Sequence, residues 1–173
     1  MEEIKTRLRA VEPEDVDFMM ECESDRENQK WSDYRAPFSR NQLLTYALTY
    51  EADPFKAGSL RLIAENESGN PIGILDFYDI SDKDAKTYLG ICVHPSYRCK
   101  GFGSAILREG RRFAKERLGL RQLVAKVSME NKKALSMFGR NGFERVGLLP
   151  SWHRIGLEFH DFVLLACPTA ADT

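Results

Sequence analysis

The chain has 173 residues, with 25 lysines and arginines against 26 aspartates and glutamates and a formal net charge of -1. This length is typical of one domain, and 43% hydrophobic residues argue against a disordered or low-complexity chain. The nearly neutral charge argues against a dedicated nucleic-acid binder, and no apolar run is long enough to span a bilayer. The N-terminus is charged from its second residue and does not resemble a secretory signal, so we expect a single cytoplasmic domain over residues 1–173.

The four cysteines are Cys22, Cys92, Cys99 and Cys167. None of them forms a C-x-x-C pair, and the spacing from Cys92 to Cys99 fits no zinc site. We therefore expect reduced thiols, as is usual in the cytosol, and no metal site.

Five elements are predicted in the first half of the chain. Ser39 and Gln42 make a capping box at the start of a helix, and residues 66–70, N-E-S-G-N, are typical of a turn between paired strands. The segment W-S-D-Y-R-A-P-F, residues 31–38, is an aromatic loop. In chain order, we predict a strand over 4–10, a helix from Pro13, a helix from Ser39, and strands over 60–65 and 71–80.

Six elements are predicted in the second half. His94-Pro95 ends a strand because proline cannot continue a ladder, and Gly119 is the residue expected just after a helix. The elements are a strand over 87–93, a helix over about 104–118, a strand over 122–128, a helix over 131–141, and strands over 143–149 and 157–166. The resulting order, β-α-α-β-β-β-α-β-α-β-β, is typical of a mixed α/β layer fold.

The most informative segment is V-H-P-S-Y-R-C-K-G-F-G-S-A, residues 93–105. It places two glycines, Gly101 and Gly103, between a predicted strand and a helix N-terminus, where free backbone N–H groups and the helix dipole favour a phosphate. Arg98 and Lys100 add positive charge. The segment matches neither a Rossmann fingerprint nor a Walker loop, and a lone G-x-G is often an ordinary strand-to-helix loop.

Two blocks resemble one known family. R-C-K-G-F-G is similar to the [QR]-x-x-G-x-[GA] signature of the GNAT (GCN5-related) N-acetyltransferases, and N-K-K-A-L-S-M-F-G-R-N-G-F, residues 131–143, is similar to their N-x-x-A-x-x-x-[YF]-x-x-x-G-F helix. The opening R-L-R-A-V-E-P-E-D resembles the ribosomal-protein alanine and spermidine acetyltransferases of that family. The likeness covers about residues 7–166. It implies a mixed, mostly antiparallel, twisted sheet of about seven strands flanked by helices, with acetyl-CoA as co-substrate.

The resemblance also implies roles for the residues of these blocks. Backbone N–H groups of Arg98, Gly101, Phe102, Gly103 and Ser104 are expected to hold the pyrophosphate of acetyl-CoA, with Lys100 and Cys99 in the same loop. The strand residues Ile91, Cys92 and Val93 are expected to pair with the pantetheine arm, where a splay opens the sheet and an N–H polarises the thioester carbonyl. Asn131 is expected to touch the pantetheine beside Ala134, although Asn131 is equally typical of a helix N-cap.

One position departs from the usual pattern. Many relatives have a tyrosine that protonates the departing thiolate, and this chain has Phe138 there. Either another group such as Tyr97, Tyr88 or Ser136 donates the proton, or the thiolate leaves unassisted, since a thiol with a pKa near 8.5 is a tolerable leaving group.

The general base also has several candidates. An aliphatic amine with a pKa of about 10.4 is only about 0.1% neutral near pH 7.4, so such an acceptor needs a base or a desolvating site. We prefer Asp76 over Asp79, because residues three apart on a regular strand face opposite sides. His94 is a second candidate, acting through a water. A structural or solvated role is an open alternative for both.

The acceptor region is expected at the aromatic loop and at P-S-W-H-R, residues 150–154, with Trp31, Tyr34, Phe38 and Trp152 as candidate walls. Residues 12–27 contain eight acids and one base, a net of -7, and residues 98–117 contain seven bases and two acids, a net of +5. The acidic segment is either a solvated helix face or an attraction for a cationic acceptor.

These patterns predict acetyl-CoA-dependent transfer to a primary amine by direct attack in a ternary complex. A small amine or polyamine ranks slightly ahead of a protein N-terminus as acceptor. A non-catalytic CoA-binding module is the alternative, with Cys99 as a regulatory thiol in one variant of it. No nucleic-acid or membrane partner is expected, and a homo-oligomer remains open.

Overall fold

The computed structural model describes residues 4–32 and 36–170. Its centre is a seven-stranded sheet in the order β1-β2-β3-β4-β5-β7-β6, antiparallel throughout except between β4 and β5. The strands are β1 (Arg7–Ala10), β2 (Ser59–Glu65), β3 (Pro71–Ser81), β4 (Lys86–Val93), β5 (Gln122–Ser128), β6 (Glu144–Ile155) and β7 (Glu158–Pro168). This confirms the predicted mixed, mostly antiparallel sheet.

Helices cover both faces of this sheet. One face packs on α5 and α6, and the other on α1 and α3. Strand β3 is buried on both faces, because Leu75 joins the first core and its neighbour Ile74 joins the second. The helices are α1 (Val16–Ser24), α2 (Arg26–Trp31), α3 (Arg40–Thr49), α4 (Pro54–Ala57), α5 (Phe102–Glu116) and α6 (Lys132–Arg140). Within the described ranges, no helix is long and apolar enough to cross a bilayer.

Two short helices and the length of β6 differ from the predictions. Helices α2 and α4 are too short to show a periodic apolar stripe, and their signal is the capping side chain of Asp25 or Asp53 at the start. Strand β6 was predicted to end at Leu149, because proline is poor within a strand. It continues to Ile155, since β6 lies at the sheet edge, where Pro150 is tolerated.

An ionic cluster fixes the N-terminal strand. Arg9 donates to Asp15 and also pairs with Glu65, and Arg7 pairs with Glu65 as well. Burial opposes ionisation of both carboxyls, but the arginine hydrogen bonds outweigh it and lower the pKa of Asp15 and of Glu65. The cluster therefore holds β1 against β2 and against the short 3-10 helix Pro13–Asp15 that leads into α1.

The sheet opens between its two parallel strands. Strand β4 pairs with β5 only from Lys86 to Tyr88, opposite Gln122 to Val124. Both strands then continue, β4 to Val93 and β5 to Ser128, without further pairing between them. This divergence creates an opening in the middle of the sheet.

Candidate active site

The diverging part of β4 presents an unpaired backbone edge to this opening. His94 N–H donates to Ile72 O at 2.9 Å, toward β3. Because successive strand residues alternate, Cys92 faces β3 as well, while Ile91 and Val93 turn their N–H and C=O groups toward the opening. Of the three predicted strand residues, Ile91 thus has both backbone groups available for a ligand. Val93 has only its N–H available, because its C=O accepts from Arg98 Nε at 3.1 Å, and the backbone of Cys92 is used within the sheet.

The N-terminus of α5 lies just beyond the end of β4. Gly101 precedes the helix with φ 86°, a left-handed conformation that glycine adopts without strain, and Cys99 also has a positive φ of 58°. The first intrahelical N–H donor is Ala105, which bonds to Gly101 O at 3.2 Å. The N–H groups of Phe102, Gly103 and Ser104 therefore precede the helical ladder and are available to an anion.

Arg98 fixes the loop in front of that helix. Its Nε donates to Val93 O at 3.1 Å, and its guanidinium pairs with Asp25 at the N-cap of α2. The backbone N–H of Arg98 donates to Pro95 O at 3.3 Å. This N–H, which was predicted to bind phosphate, is therefore already used in a hydrogen bond within the chain. Burial opposes ionisation of Asp25, but the Arg98 hydrogen bond and the Asn28 N–H lower the pKa of that carboxyl. Lys100 Nζ similarly donates to Ser96 O at 2.8 Å.

A cavity of about 710 Å³ adjoins the opening. Of the predicted residues, it is lined by Trp31, Phe38, Asp76, Ile91, Cys92, Asn131 and Trp152. A bulge between Leu149 and His153 shapes the wall at Trp152, and Ser151 N–H is held there by Asp161 Oδ1 at 2.8 Å. Tyr34 lies outside the described residues.

The centre of the cavity wall is an arginine between two carboxylates. Arg61 donates through Nε to Asp76 Oδ1 at 2.7 Å and through a terminal nitrogen to Asp76 Oδ2 at 2.8 Å. Its other terminal nitrogen lies 2.8 Å from Glu23 Oε1. Burial opposes the charged form of this side chain, which is only 12% exposed, but the two carboxylates outweigh burial and raise the pKa of Arg61. Asp76, the predicted base, therefore uses both oxygens to hold a guanidinium.

The comparisons with known proteins agree with this geometry. The family model described as Acetyltransferase (GNAT) domain matches residues 5–144. The chain belongs to the GNAT acetyltransferase family. The predicted family membership and GNAT fold are thereby confirmed.

Individual relatives of this GNAT chain are distant. "Putative phosphinothricin acetyltransferase YwnH" of Bacillus subtilis (strain 168) is 32% identical over 106 residues, 60% of this chain and 64% of YwnH. "Uncharacterized N-acetyltransferase MJ1207" of Methanocaldococcus jannaschii is 29% identical over 93 residues, 51% of this chain and 41% of that protein. These matches span less than two thirds of either curated relative.

Solved structures confirm the fold over nearly the whole chain. The spermidine N-acetyltransferase of Vibrio cholerae in complex with CoA and spermine has a TM-score of 0.85 and 21% identity, covering 95% of this chain and 96% of that one. A chimera of the SpeG enzyme from Vibrio cholerae with hSSAT gives a TM-score of 0.84 at 20% identity, with the same coverage. At this identity, the likeness establishes the GNAT architecture.

The second GNAT block forms α6, which packs beside the start of α5. Asn131 Oδ1 accepts from Ala134 N–H at 3.1 Å, so its N-cap role is confirmed, while its contact with pantetheine stays a prediction. A Cβ on Gly103 would lie 2.7 Å from Met137 Sδ, so glycine permits the close approach of the two helices. Phe138 is buried against Phe143, with ring centroids 4.9 Å apart, and does not line the cavity.

Two predicted catalytic residues lie away from the cavity wall. His94 Nε2 is 2.9 Å from Glu21 Oε2, its Nδ1 accepts from Ser96 N–H, and its ring stacks on Phe18. Tyr97 packs edge-on against Phe102, with ring centroids 5.5 Å apart. Neither His94 nor Tyr97 lines the cavity, so the geometry assigns them to the turn between β4 and α5.

The acidic segment is partly neutralised within the fold. Four of its eight acids pair with arginines from distant elements, in the pairs Asp15–Arg9, Asp17–Arg40, Glu23–Arg61 and Asp25–Arg98, and Glu21 lies against the His94 ring. Of the paired acids, Glu23 lines the cavity. Pairing within the fold therefore accounts for part of the charge of this segment.

Cys92 is the cysteine in the cavity wall. Its Sγ accepts from Asn28 Nδ2 at 2.9 Å. A hydrogen bond with Cys22, together with burial, raises the pKa of the Cys92 thiol well above its ordinary value. A thiol held in its protonated form is a poor nucleophile, which disfavours an acyl-cysteine intermediate. Among the described residues, no group of three or more His, Cys, Asp or Glu side chains is arranged to hold a metal ion.

Among the wall residues, Asn28, Arg61 and Lys126 were not predicted from the sequence. A weak signal existed for two of them. Arg61 alternates with Leu60 and Leu62 on a strand, and Lys126 is the one charged residue between Leu123 and Ser128. A charge at a regular position of an otherwise apolar strand indicates that this face of the strand is polar.

Proposed function

We propose that this chain transfers the acetyl group of acetyl-CoA to a primary amine by direct attack in a ternary complex. The observation that carries the proposal is the opening between β4 and β5, which has a free backbone edge at Ile91 and leads from the cavity to the N-terminus of α5. The thioester would thus lie beside Ile91 at the cavity, and the pyrophosphate at the N-terminus of α5.

The residues present fit acetyl-CoA. The N–H groups of Phe102, Gly103 and Ser104 would hold the pyrophosphate, with Lys100 nearby in the loop. The N–H and C=O of Ile91 and the N–H of Val93 would pair with the amides of the pantetheine arm, while Val93 C=O is held by Arg98. When bound, acetyl-CoA supplies a thioester acetyl group as the electrophile, and the Ile91 N–H is a donor of the kind that stabilises a developing oxyanion.

The protein's own part is to position and desolvate the amine. The attacking group in this mechanism is the acceptor nitrogen itself, and the raised pKa of the Cys92 thiol disfavours a cysteine intermediate. The carboxylates of Glu23 and Asp76 supply negative charge near the acceptor, although Arg61 occupies both oxygens of Asp76. Because of this negative charge, we assign Asp76 a role in binding and orienting the acceptor, in addition to its proposed role as general base.

A small acceptor fits the site better than a protein. A cavity of about 710 Å³ lies within the usual range of small-molecule sites. The relatives' names give two different acceptors, phosphinothricin and spermidine, so similarity alone does not transfer one to this chain. We rank a small amine or polyamine ahead of a protein N-terminus.

The test is an amine panel with acetyl-CoA, following the release of free thiol. The account predicts acceptor-dependent release with at least one small amine. Release only with peptides would reject the small-amine ranking, and no release with any acceptor would reject the activity.

A second candidate is a non-catalytic CoA-binding module. Two observations favour it: Phe138 is buried in the core without a proton to donate, and Asp76 is engaged by Arg61. Calorimetry and the thiol assay together separate the two candidates, because both bind acetyl-CoA but only the transferase releases thiol when an acceptor is added.

A further inference from the structure

The cavity contains a lysine, Lys126, that takes no part in the ion pairs of Arg61 with Asp76 and Glu23. Lys126 lies on β5, on the far side of the opening from the β2–β3 wall that carries Arg61 and Asp76. Its Nζ is 5.5 Å from the ring centroid of Tyr78 and 5.3 Å from that of Tyr88. In the two described ranges of the chain, no carboxylate forms an ion pair with it.

The two basic groups of the cavity differ in their surroundings. Arg61 is compensated by Asp76 and Glu23, which occupy its three nitrogens. Among the described residues, Lys126 contacts the faces of two stacked tyrosine rings, which attract a cation without neutralising it. Within the part of the cavity that the structure describes, the β5 side therefore offers a positive charge without a paired carboxylate, and the β2–β3 side offers carboxylates.

This distribution matches a molecule with an amine and an anion. An ammonium beside Lys126 would meet a like charge, which is unfavourable in a partly desolvated cavity. A carboxylate there would gain a charge-assisted hydrogen bond, while the amine at the opening faces the side of Asp76 and Glu23.

We propose that the acceptor carries an anionic group beside its primary amine, as an amino acid does, and that Lys126 binds that group. The inference rests on the proposed acetyltransfer and narrows its acceptor class from amines in general to anionic amines, ahead of polyamines. Lys126 is then a specificity-determining residue at the β5 wall.

The experiment uses matched pairs of acceptors that differ only in a carboxylate: lysine and cadaverine, ornithine and putrescine, arginine and agmatine, methionine and 3-methylthiopropylamine. Thiol release gives kcat/KM for each member with the unaltered chain, with Lys126→Met, and with Lys126→Glu. Lys83→Met is the matched control, because Lys83 is an exposed lysine of the β3–β4 turn outside the cavity lining.

The unaltered chain and the Lys83→Met variant should prefer the carboxylate-bearing member of the best pair by about tenfold or more, the usual effect of a hydrogen bond to a charged group. In Lys126→Met that ratio should fall toward one, and in Lys126→Glu it should reverse. The change should be in the acceptor KM, with the acetyl-CoA KM unaffected.

An equal or better rate with the decarboxylated amine, or a ratio that Lys126→Met leaves unchanged, would overturn the inference while leaving the transferase activity intact. A Lys126→Met effect confined to the acetyl-CoA KM would overturn it too, by moving the lysine to the cofactor. No thiol release with any acceptor would instead reject the proposed function, and this inference with it.

Discussion

The two ends of the site are built from different parts of the chain. The end at the start of α5 consists of backbone N–H groups from one continuous segment, with Gly101 in a left-handed conformation. The cavity end consists of side chains from six or more elements, among them Glu23 of α1, Arg61 of β2 and Lys126 of β5. Under the proposed function, the first end would recognise the constant cofactor through backbone geometry, while the second would recognise a particular acceptor through charge.

If paired charges hold the cavity end together, removing Arg61 should cause the largest loss of folding free energy. Arg61→Met leaves Glu23 and Asp76 without their shared partner, and breaking a buried ion pair in this way costs about 3–5 kcal/mol of folding free energy. Chemical denaturation measures it. Arg40→Met is the control, because its pair with Asp17 is exposed and such pairs contribute about 0–1 kcal/mol. Equal losses of stability in the two variants would show that the ion pairs of Arg61 do not stabilise the cavity.

The backbone end should respond to one added methyl group. Gly101→Ala forces a strained φ, and its Cβ would lie 2.8 Å from Ile4 Cδ1, so the loop must shift away from its anion-binding geometry. Losing one charge-assisted hydrogen bond should raise the acetyl-CoA KM by about tenfold to a hundredfold.

Gly69→Ala is the matched control for that substitution. Gly69 also has a positive φ, 78°, but has open space around it and lies in the β2–β3 turn. Gly101→Ala should lose at least as much stability as Gly69→Ala, because of its added contact with Ile4, and only Gly101→Ala should weaken the binding of acetyl-CoA. A shared effect on the KM would mean that strain alone is responsible.

Acid should weaken the ionic cluster that Arg7 and Arg9 form with Asp15 and Glu65 at the N-terminal strand. Asp15 and Glu65 have lowered pKa values in the fold, so their stabilisation is fully present above the unfolded carboxyl pKa of about 4 and is lost as pH falls through the lower folded values. Unfolding midpoints from pH 7 down to the acid limb should show a decline that is shallower in Glu65→Gln. An identical pH slope in the variant would exclude this carboxyl as the cause.

The smallest effect is expected at the rim of the cavity. Trp152 is 55% exposed, so Trp152→Ala removes only part of an aromatic wall and should raise the acceptor KM about threefold to tenfold, with the acetyl-CoA KM unchanged. Leu157→Ala, at a hairpin tip and 95% exposed, should change neither constant. An unchanged acceptor KM in Trp152→Ala would remove this residue from the site.

The same comparison explains what the sequence could predict. The α5 end is local, so one motif with its glycines predicted the loop and the helix start, and the cap of Asn131 could be read from its own helix. The chain order also gave the strands and the two long helices of the second half. Arg98 shows the limit of this reading, because its partner Asp25 lies 73 residues away and only the folded chain brings them together.

The cavity end depends on the register of the β2–β3 pairing and on how α1 packs on the sheet. A regular β2–β3 hairpin that continued the Glu65–Pro71 pairing would place Arg61 opposite Leu75, but a bulge at Ala64 and Glu65 shifts the register by one and brings Asp76 there. Glu23 reaches Arg61 only because α1 packs on that face of the sheet. Neither the bulge nor the packing of α1 has a signal in a single sequence.

In the proposed reaction, the opening between β4 and β5 brings an acetyl group from the α5 end to an amine in the cavity. Mass spectrometry of the acceptor panel, after incubation with acetyl-CoA labelled in its acetyl group, tests this transfer. We expect the label on the nitrogen of at least one small acceptor, in step with thiol release. Saturable binding of acetyl-CoA with the label retained on CoA for every acceptor would contradict it.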